Sequence, residues 1–176
     1  MTNYPPQDEQ TICVACGFCC DHTLFEYASL SPDEKVSGHF EESRFDIDGS
    51  DYFRLPCPHF DEKCTIYDKQ KPKICSSFKC KLLKNYIKGE VEQAKAISII
   101  EEAKRLRQEI FNSYETLLSR KTSSYREVLE FVNTNTENTS KEFTVLRAKT
   151  NLLSILLVRY FKSKESFDEL LVNEEE

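Results

Sequence analysis

The chain has 176 residues, which suits one domain or a small domain with an annex. Leu, Ile, Val and Phe make up about 26% of it, above the level of a disordered chain, so a packed core is expected. Its 24 basic and 30 acidic side chains leave a net charge of −6, which argues against a basic nucleic-acid binder, and no apolar run approaches the ~20 residues of a membrane-spanning helix.

Residues 1 to 12 read as a polar, loose tail. Met1 to Gln10 has no basic region and no apolar stretch, so no signal peptide is expected, and the expected setting is a reducing cytoplasm. All eight cysteines lie between Cys13 and Cys80. All six prolines and all four glycines lie at or before Gly89. Residues 13 to 89 therefore predict short turns, short helices and a strand or two. That stretch is poor in core residues, and such a segment usually relies on metal or disulfides to offset its ordering entropy. Ser31-Pro32-Asp33-Glu34 is a helix start, with a Ser N-cap, Pro at the first helical position and Glu34 three residues after the cap. Asp46-Ile47-Asp48-Gly49-Ser50-Asp51 resembles a calcium loop only superficially. Its glycine stands at the fourth position and its twelfth is Cys57, so it predicts a turn.

After Gly89 there is no Cys, Pro or Gly. Glu90 to about Lys121 predicts one long helix, with Val91, Ala94, Ile97, Ile100 or Glu101, Leu106, Ile110, Tyr114 and Leu117 at helical spacing. Ser124 to Val132 predicts a second, Asn133 to Ser140 a polar loop, and Ser140 to about Phe161 a third. The third carries Phe143, Leu146, Thr150, Leu153, Leu157 and Tyr160 in one stripe. Leu152, Ile155, Leu156 and Val158 add apolar flanks, so it is expected to be the most buried helix. Phe167, Leu170 and Leu171 suggest a last turn before an acidic end. The expected fold is mainly α: a Cys-rich, loop-rich metal-binding module at 10–89, then a small helical bundle at 90–172. Loose tails are expected at 1–9 and 173–176.

The cysteine spacing is Cys13-x2-Cys16-x2-Cys19-Cys20, then Cys57-x6-Cys64-x10-Cys75-x4-Cys80. Consecutive Cys-x2-Cys units let thiolates converge through a tight turn, and Gly17 gives that turn its freedom. Disulfides fit poorly, because cysteine is only about 4.5% of the chain and four thiols crowd into eight residues. Zinc fits, as one or two thiolate sites. Iron and sulfur fit as well. Cys13, Cys16 and Cys19 match the first three ligands of the bacterial ferredoxin run, and Cys57-Pro58 supplies a distant Cys-Pro, so Cys13, Cys16, Cys19 and Cys57 are one candidate ligand set. The vicinal pair Cys19-Cys20 constrains every arrangement, since adjacent residues rarely present both sulfurs to one metal.

These residues resemble the YkgJ-type CxxCxxCC cysteine-cluster family of zinc- or iron-chelating domains. The likeness rests on Cys13-Val14-Ala15-Cys16-Gly17-Phe18-Cys19-Cys20, Cys57-Pro58-His59-Phe60, Cys64-Thr65-Ile66-Tyr67, Lys71-Pro72-Lys73-Ile74-Cys75, Phe78 and Cys80. All eight cysteines fall on family positions, so the resemblance implies metal binding by Cys13, Cys16, Cys19, Cys20, Cys57, Cys64, Cys75 and Cys80. Two positions depart from the family pattern. Lys71 replaces the usual Arg, a point charge instead of a bidentate fork, and Ser76 stands where a basic residue often follows. Flagellin lysine N-methylases contain a similar cluster, and that likeness implies an alternative: an iron–sulfur redox or methyl-transfer accessory enzyme.

His22 and His59 stand two residues after cysteines, yet with eight thiols at hand each, like His39, reads first as an ordinary turn or surface histidine. Tyr67 reads first as packing. The lysines at 63, 69, 71, 73, 79, 81, 84 and 88 read as local charge balance for a thiolate site that stays negative around its ion. No phosphate loop and no His-Glu-x-x-His appears. The expected partners are a metal ion and a protein docking on the C-terminal helices, with neither membrane nor nucleic acid.

Overall fold

In a computed structural model, residues 7–31, 34, 39–67, 69 and 71–162 are described. Among them the fold is mainly α, with seven helices, a three-stranded sheet and a two-stranded hairpin. The chain divides into two compact units, Met1–Lys79 and Cys80–Glu176.

The first unit opens with α1 (Gln7–Cys16), so a helix begins inside the stretch whose polarity predicts a loose tail. Its last two turns carry Ile12 and Cys16, both buried, and Ile12 gives the helix an anchor that its polar start does not advertise. β1 (Tyr27–Ser29), β2 (Arg44–Ile47) and β3 (Ser50–Arg54) form an antiparallel sheet in the order β1-β3-β2. The Glu34 carboxylate accepts the Ser31 N–H at 3.0 Å and the Ser31 carbonyl accepts the Glu34 N–H at 2.9 Å, but Glu34 is not in a helix and most of the expected helix start lies outside the described residues. Residues 32, 33 and 35 to 38 lie outside the described ones, and α2 (His39–Ser43) follows. The expected turn at Asp48-Gly49 is present. It joins β2 to β3 with Ile47 opposite Ser50, and both turn residues have positive φ (51° and 78°). Asp-Gly is the pair that such a two-residue hairpin turn selects. Leu30, Phe40, Phe53 and Leu55 make a small core, flanked by Phe25, Ala28, Cys57, Ile66 and Ile74. β4 (Phe60–Asp61) and β5 (Lys63–Cys64) form the short hairpin, and α3 (Lys73–Ser77) closes the unit.

The second unit is helical: α4 (Lys81–Ile87), α5 (Gln93–Leu118), α6 (Tyr125–Thr134) and α7 (Lys141–Tyr160). The three predicted helices are present. Ser124 and Ser140 cap α6 and α7, accepting the N–H groups of Glu127 and Phe143 at 3.3 Å each. In α5 the buried stripe is Ala96, Ile99, Ile100, Ala103, Leu106, Ile110 and Tyr114, so its first half is turned from the expected Ala94 and Ile97. The reason is packing: α4 and α7 both lie against α5 and set which side faces in. In α7 the stripe Phe143, Leu146, Thr150, Leu153 and Leu157 is buried as expected. Its other face is not. Val145, Leu152 and Ile155 are 44%, 51% and 56% exposed, because α4, α5 and α6 cover only one side of the helix. Phe167, Leu170, Leu171 and the acidic end lie outside the described residues. Among the described residues, no helix is long and apolar enough to cross a membrane.

Candidate metal centre

The first cysteines are placed by a helix end. Cys13 and Cys16 stand three apart in the last turn of α1, hence on one side of it. Gly17 ends the helix at φ +71°, donating its N–H to the Cys13 carbonyl at 3.2 Å. A Cβ at Gly17 would stand 2.7 Å from the Phe60 ring, so both the backbone angle and the ring demand glycine. The next turn is tied by Cys20 and Asp21 N–H groups on the Gly17 carbonyl (2.8 and 3.0 Å). The Leu24 N–H on the Phe18 carbonyl (3.0 Å) closes it. Phe18 and Leu24 are fully buried beneath it and hold it to the unit.

The later cysteines arrive on three separate devices. The Cys57 N–H donates to the Cys20 carbonyl at 2.7 Å, which sets these two residues side by side. The Phe60 N–H then closes a turn on the Cys57 carbonyl at 2.9 Å. Cys64 lies in β5 opposite Phe60, beyond a tight turn in which Glu62 has φ +56°. Cys75 lies in α3, and Glu34 fixes the start of that helix by accepting the Lys73 N–H at 2.6 Å. Cys80 belongs to the second unit and is the N-cap of α4, its sulfur accepting the Leu83 N–H at 3.5 Å.

No disulfide joins any of the eight cysteines. Cys16 is buried, Cys75 is exposed, and the rest are half-buried. Burial pushes the Cys20 thiol far above its ordinary range, and the charges of Cys57, Cys75, Cys64 and Asp21 add to the push. The protein packed around the Cys75 sulfur, with Cys57 and Cys64 beside it, pushes that thiol up to about 12, against the pull of Lys71. Burial also raises Cys57, with the His59 N–H acting the other way. At Cys80 burial again raises the thiol, while the Leu83 and Leu82 N–H groups and Lys84 lower it. Cys20, Cys57, Cys64 and Cys75 thus stand within reach of one another's charge. Ionising Cys20, Cys57 and Cys75 is therefore unfavourable.

The donor chemistry therefore suits a thiophilic ion. Thiolates are the preferred ligands of zinc and of iron–sulfur clusters, and N–H groups aimed at the Cys57 and Cys80 sulfurs favour the ionised form. Among the described residues, no three His, Cys, Asp or Glu side chains are placed so that they could hold a metal ion together. The His59 ring lies 4.8 Å from Phe40 as packing, and Tyr67 supports the Lys71 ammonium 3.6 Å above its ring. His22 adopts φ +74° in the turn after Cys20, and the His39 side chain lies outside those described. Of the eight lysines, Lys71 and Lys84 act on a thiol, one in each unit. Sequence reasoning missed Glu34 as a clamp on α3, because nothing in chain order links residues 34 and 73.

Residues 12–98 match the family model described as "CxxCxxCC: Putative zinc- or iron-chelating domain". The likeness to that domain covers 87 of the 176 residues, 12 to 98 inclusive. No curated protein and no solved structure matches the chain. The matched stretch holds all eight cysteines. It runs past Lys79 to take in Cys80, α4 and the first residues of α5.

Proposed function

We propose that residues 12–98 form a CxxCxxCC domain of the YkgJ type. It binds zinc or iron through Cys13, Cys16, Cys19, Cys20, Cys57, Cys64, Cys75 and Cys80, and the metal is at least structural. The observation that carries the reading is the match of residues 12–98, which hold all eight cysteines, to a zinc- or iron-chelating family model. A small core supports it: among the described residues, Cys57 packs against a cluster of four buried side chains, Leu30, Phe40, Phe53 and Leu55, in a segment rich in loops. The expected setting is the cytoplasm, where thiols stay reduced and available to metal.

A second reading rests on the Cys13-x2-Cys16-x2-Cys19 spacing. It makes the centre an iron–sulfur cluster in a redox or methyl-transfer accessory enzyme, of the kind suggested by the flagellin lysine N-methylases. One measurement separates the two: metal and acid-labile sulfide content, with the visible spectrum, of protein purified without oxygen. Colourless protein with one or two zinc ions selects the structural site. Brown protein with iron and sulfide selects the cluster. Protein with neither metal, and no uptake of either, rejects both.

A further inference from the structure

We propose that the outer face of α7 is the docking surface for an acidic segment of this same chain, residues 163–176. Lys141, Val145, Ala148, Leu152, Ile155 and Arg159 fall on one side of α7, opposite its buried stripe. All six are exposed. Their spacing alternates four and three residues, the period of a packing seam. The inner four positions are apolar, and a cation stands at each end. The face lies beyond residue 98, outside the matched cysteine region, so it is independent of the metal reading.

Charge selects the occupant. The α7 sequence holds four bases and one acid, Glu142, in a chain whose net charge is −6. A second copy of the face fits poorly, because either parallel or antiparallel pairing sets cation against cation at both ends. Residues 163–176 carry the opposite charge, with six acids and one lysine. In that segment Phe167, Leu170 and Leu171 repeat the seam's three- and four-residue intervals in sequence. The segment also starts within reach. Phe161 is buried at the end of α7, and the N–H groups of Phe161 and Lys162 donate to the Leu157 carbonyl at 2.8 and 2.9 Å, which fixes where the chain leaves the helix. From Phe161, Ile155 lies about 9 Å and Leu152 about 14 Å back along the axis. The four residues 163 to 166 can span up to about 14 Å. Because the segment is tethered beside the face, even a weak contact suffices to seat it.

The test uses the full chain and two reciprocal double variants. Leu152→Ser with Ile155→Ser alters the face at exposed positions, so the bundle keeps its buried stripe. It should speed chymotrypsin cleavage after Phe167, followed by mass spectrometry, by at least about threefold, since cleavage tracks the undocked population. Phe167→Ser with Leu170→Ser alters the segment and leaves α7 itself intact. It should move the NMR methyl signals of Leu152 and Ile155, while those of the buried Leu146 and Leu153 stay in place. Unchanged cleavage in the first variant, or unmoved Leu152 and Ile155 signals in the second, overturns the proposal and leaves the face to a separate partner. Movement of the Leu146 and Leu153 signals by the same amount overturns it too, because the change is then not confined to the face. Both effects should be independent of protein concentration over about a hundredfold range, and a dependence on it would place the segment on a second copy and overturn the single-chain assignment.

Discussion

Gly17 and Gly49 both have positive φ, yet they carry different constraints. Around Gly49 there is open space, so Gly49→Ala bears only the backbone penalty of about 1 kcal/mol. At Gly17 the same penalty is joined by a Cβ 2.7 Å from the Phe60 ring, whose hairpin carries Cys64. Gly17→Ala should cost about 2–4 kcal/mol and weaken metal binding, while Gly49→Ala should leave metal binding unchanged. Urea denaturation and zinc titration of the two variants check this. Glu127 is a second single-residue control point. The Thr122 hydroxyl, the Tyr114 hydroxyl and Arg120 hold its carboxyl below the ordinary value. A lowered folded value means that the stabilisation is present above the unfolded value, near ~4.3, and is lost as pH falls through the folded one. The helical unit should therefore lose thermal stability below about pH 4.5, and Glu127→Gln should flatten that part of the profile.

At the scale of elements, α7 is the centre of the second unit. Leu153 is fully buried in its inner stripe, and Tyr125 of α6 donates its hydroxyl to the Thr150 carbonyl at 3.0 Å on the same face. Leu153→Ala should destabilise the unit by about 2–5 kcal/mol, the range for a core leucine, whereas Leu152→Ala, on the half-exposed outer face, should cost under about 1 kcal/mol. Thermal melts followed at a helix-sensitive wavelength compare them. Neighbouring leucines with opposite outcomes show the limit of reading the element alone. The 3.6-residue period gives the inner stripe from sequence, but the apolar outer face looks equally fit for burial. Whether a second layer covers it depends on other helices. The same limit appears in α5, where period fixed the helix and packing against α4 and α7 fixed its rotation.

For the whole molecule, the two units should respond differently to metal removal. The first has a small core and the cysteines from Cys13 to Cys75, while the second holds α5 with 26 residues and α7 with 20. Chelation should unfold the first unit and leave most of the far-UV helical signal, read by circular dichroism alongside proteolysis sites mapped by mass spectrometry. Loss of the whole signal in one step, or retention of both units, would contradict a metal with a structural role in the first unit alone. The sequence by itself determined the mainly α class, the three long helices, the Asp48-Gly49 turn and the likeness to the CxxCxxCC domain. Those follow from residue type, period and spacing, which are local properties of the chain. Only the tertiary structure decided that Cys20 lies beside Cys57, that Glu34 clamps the helix of Cys75, and that Leu152 and Ile155 of α7 are exposed. Each of these depends on which distant segments meet. That is set by the packing of Phe18, Leu24, Phe53 and the other buried residues as a whole, and no spacing between two residues encodes it.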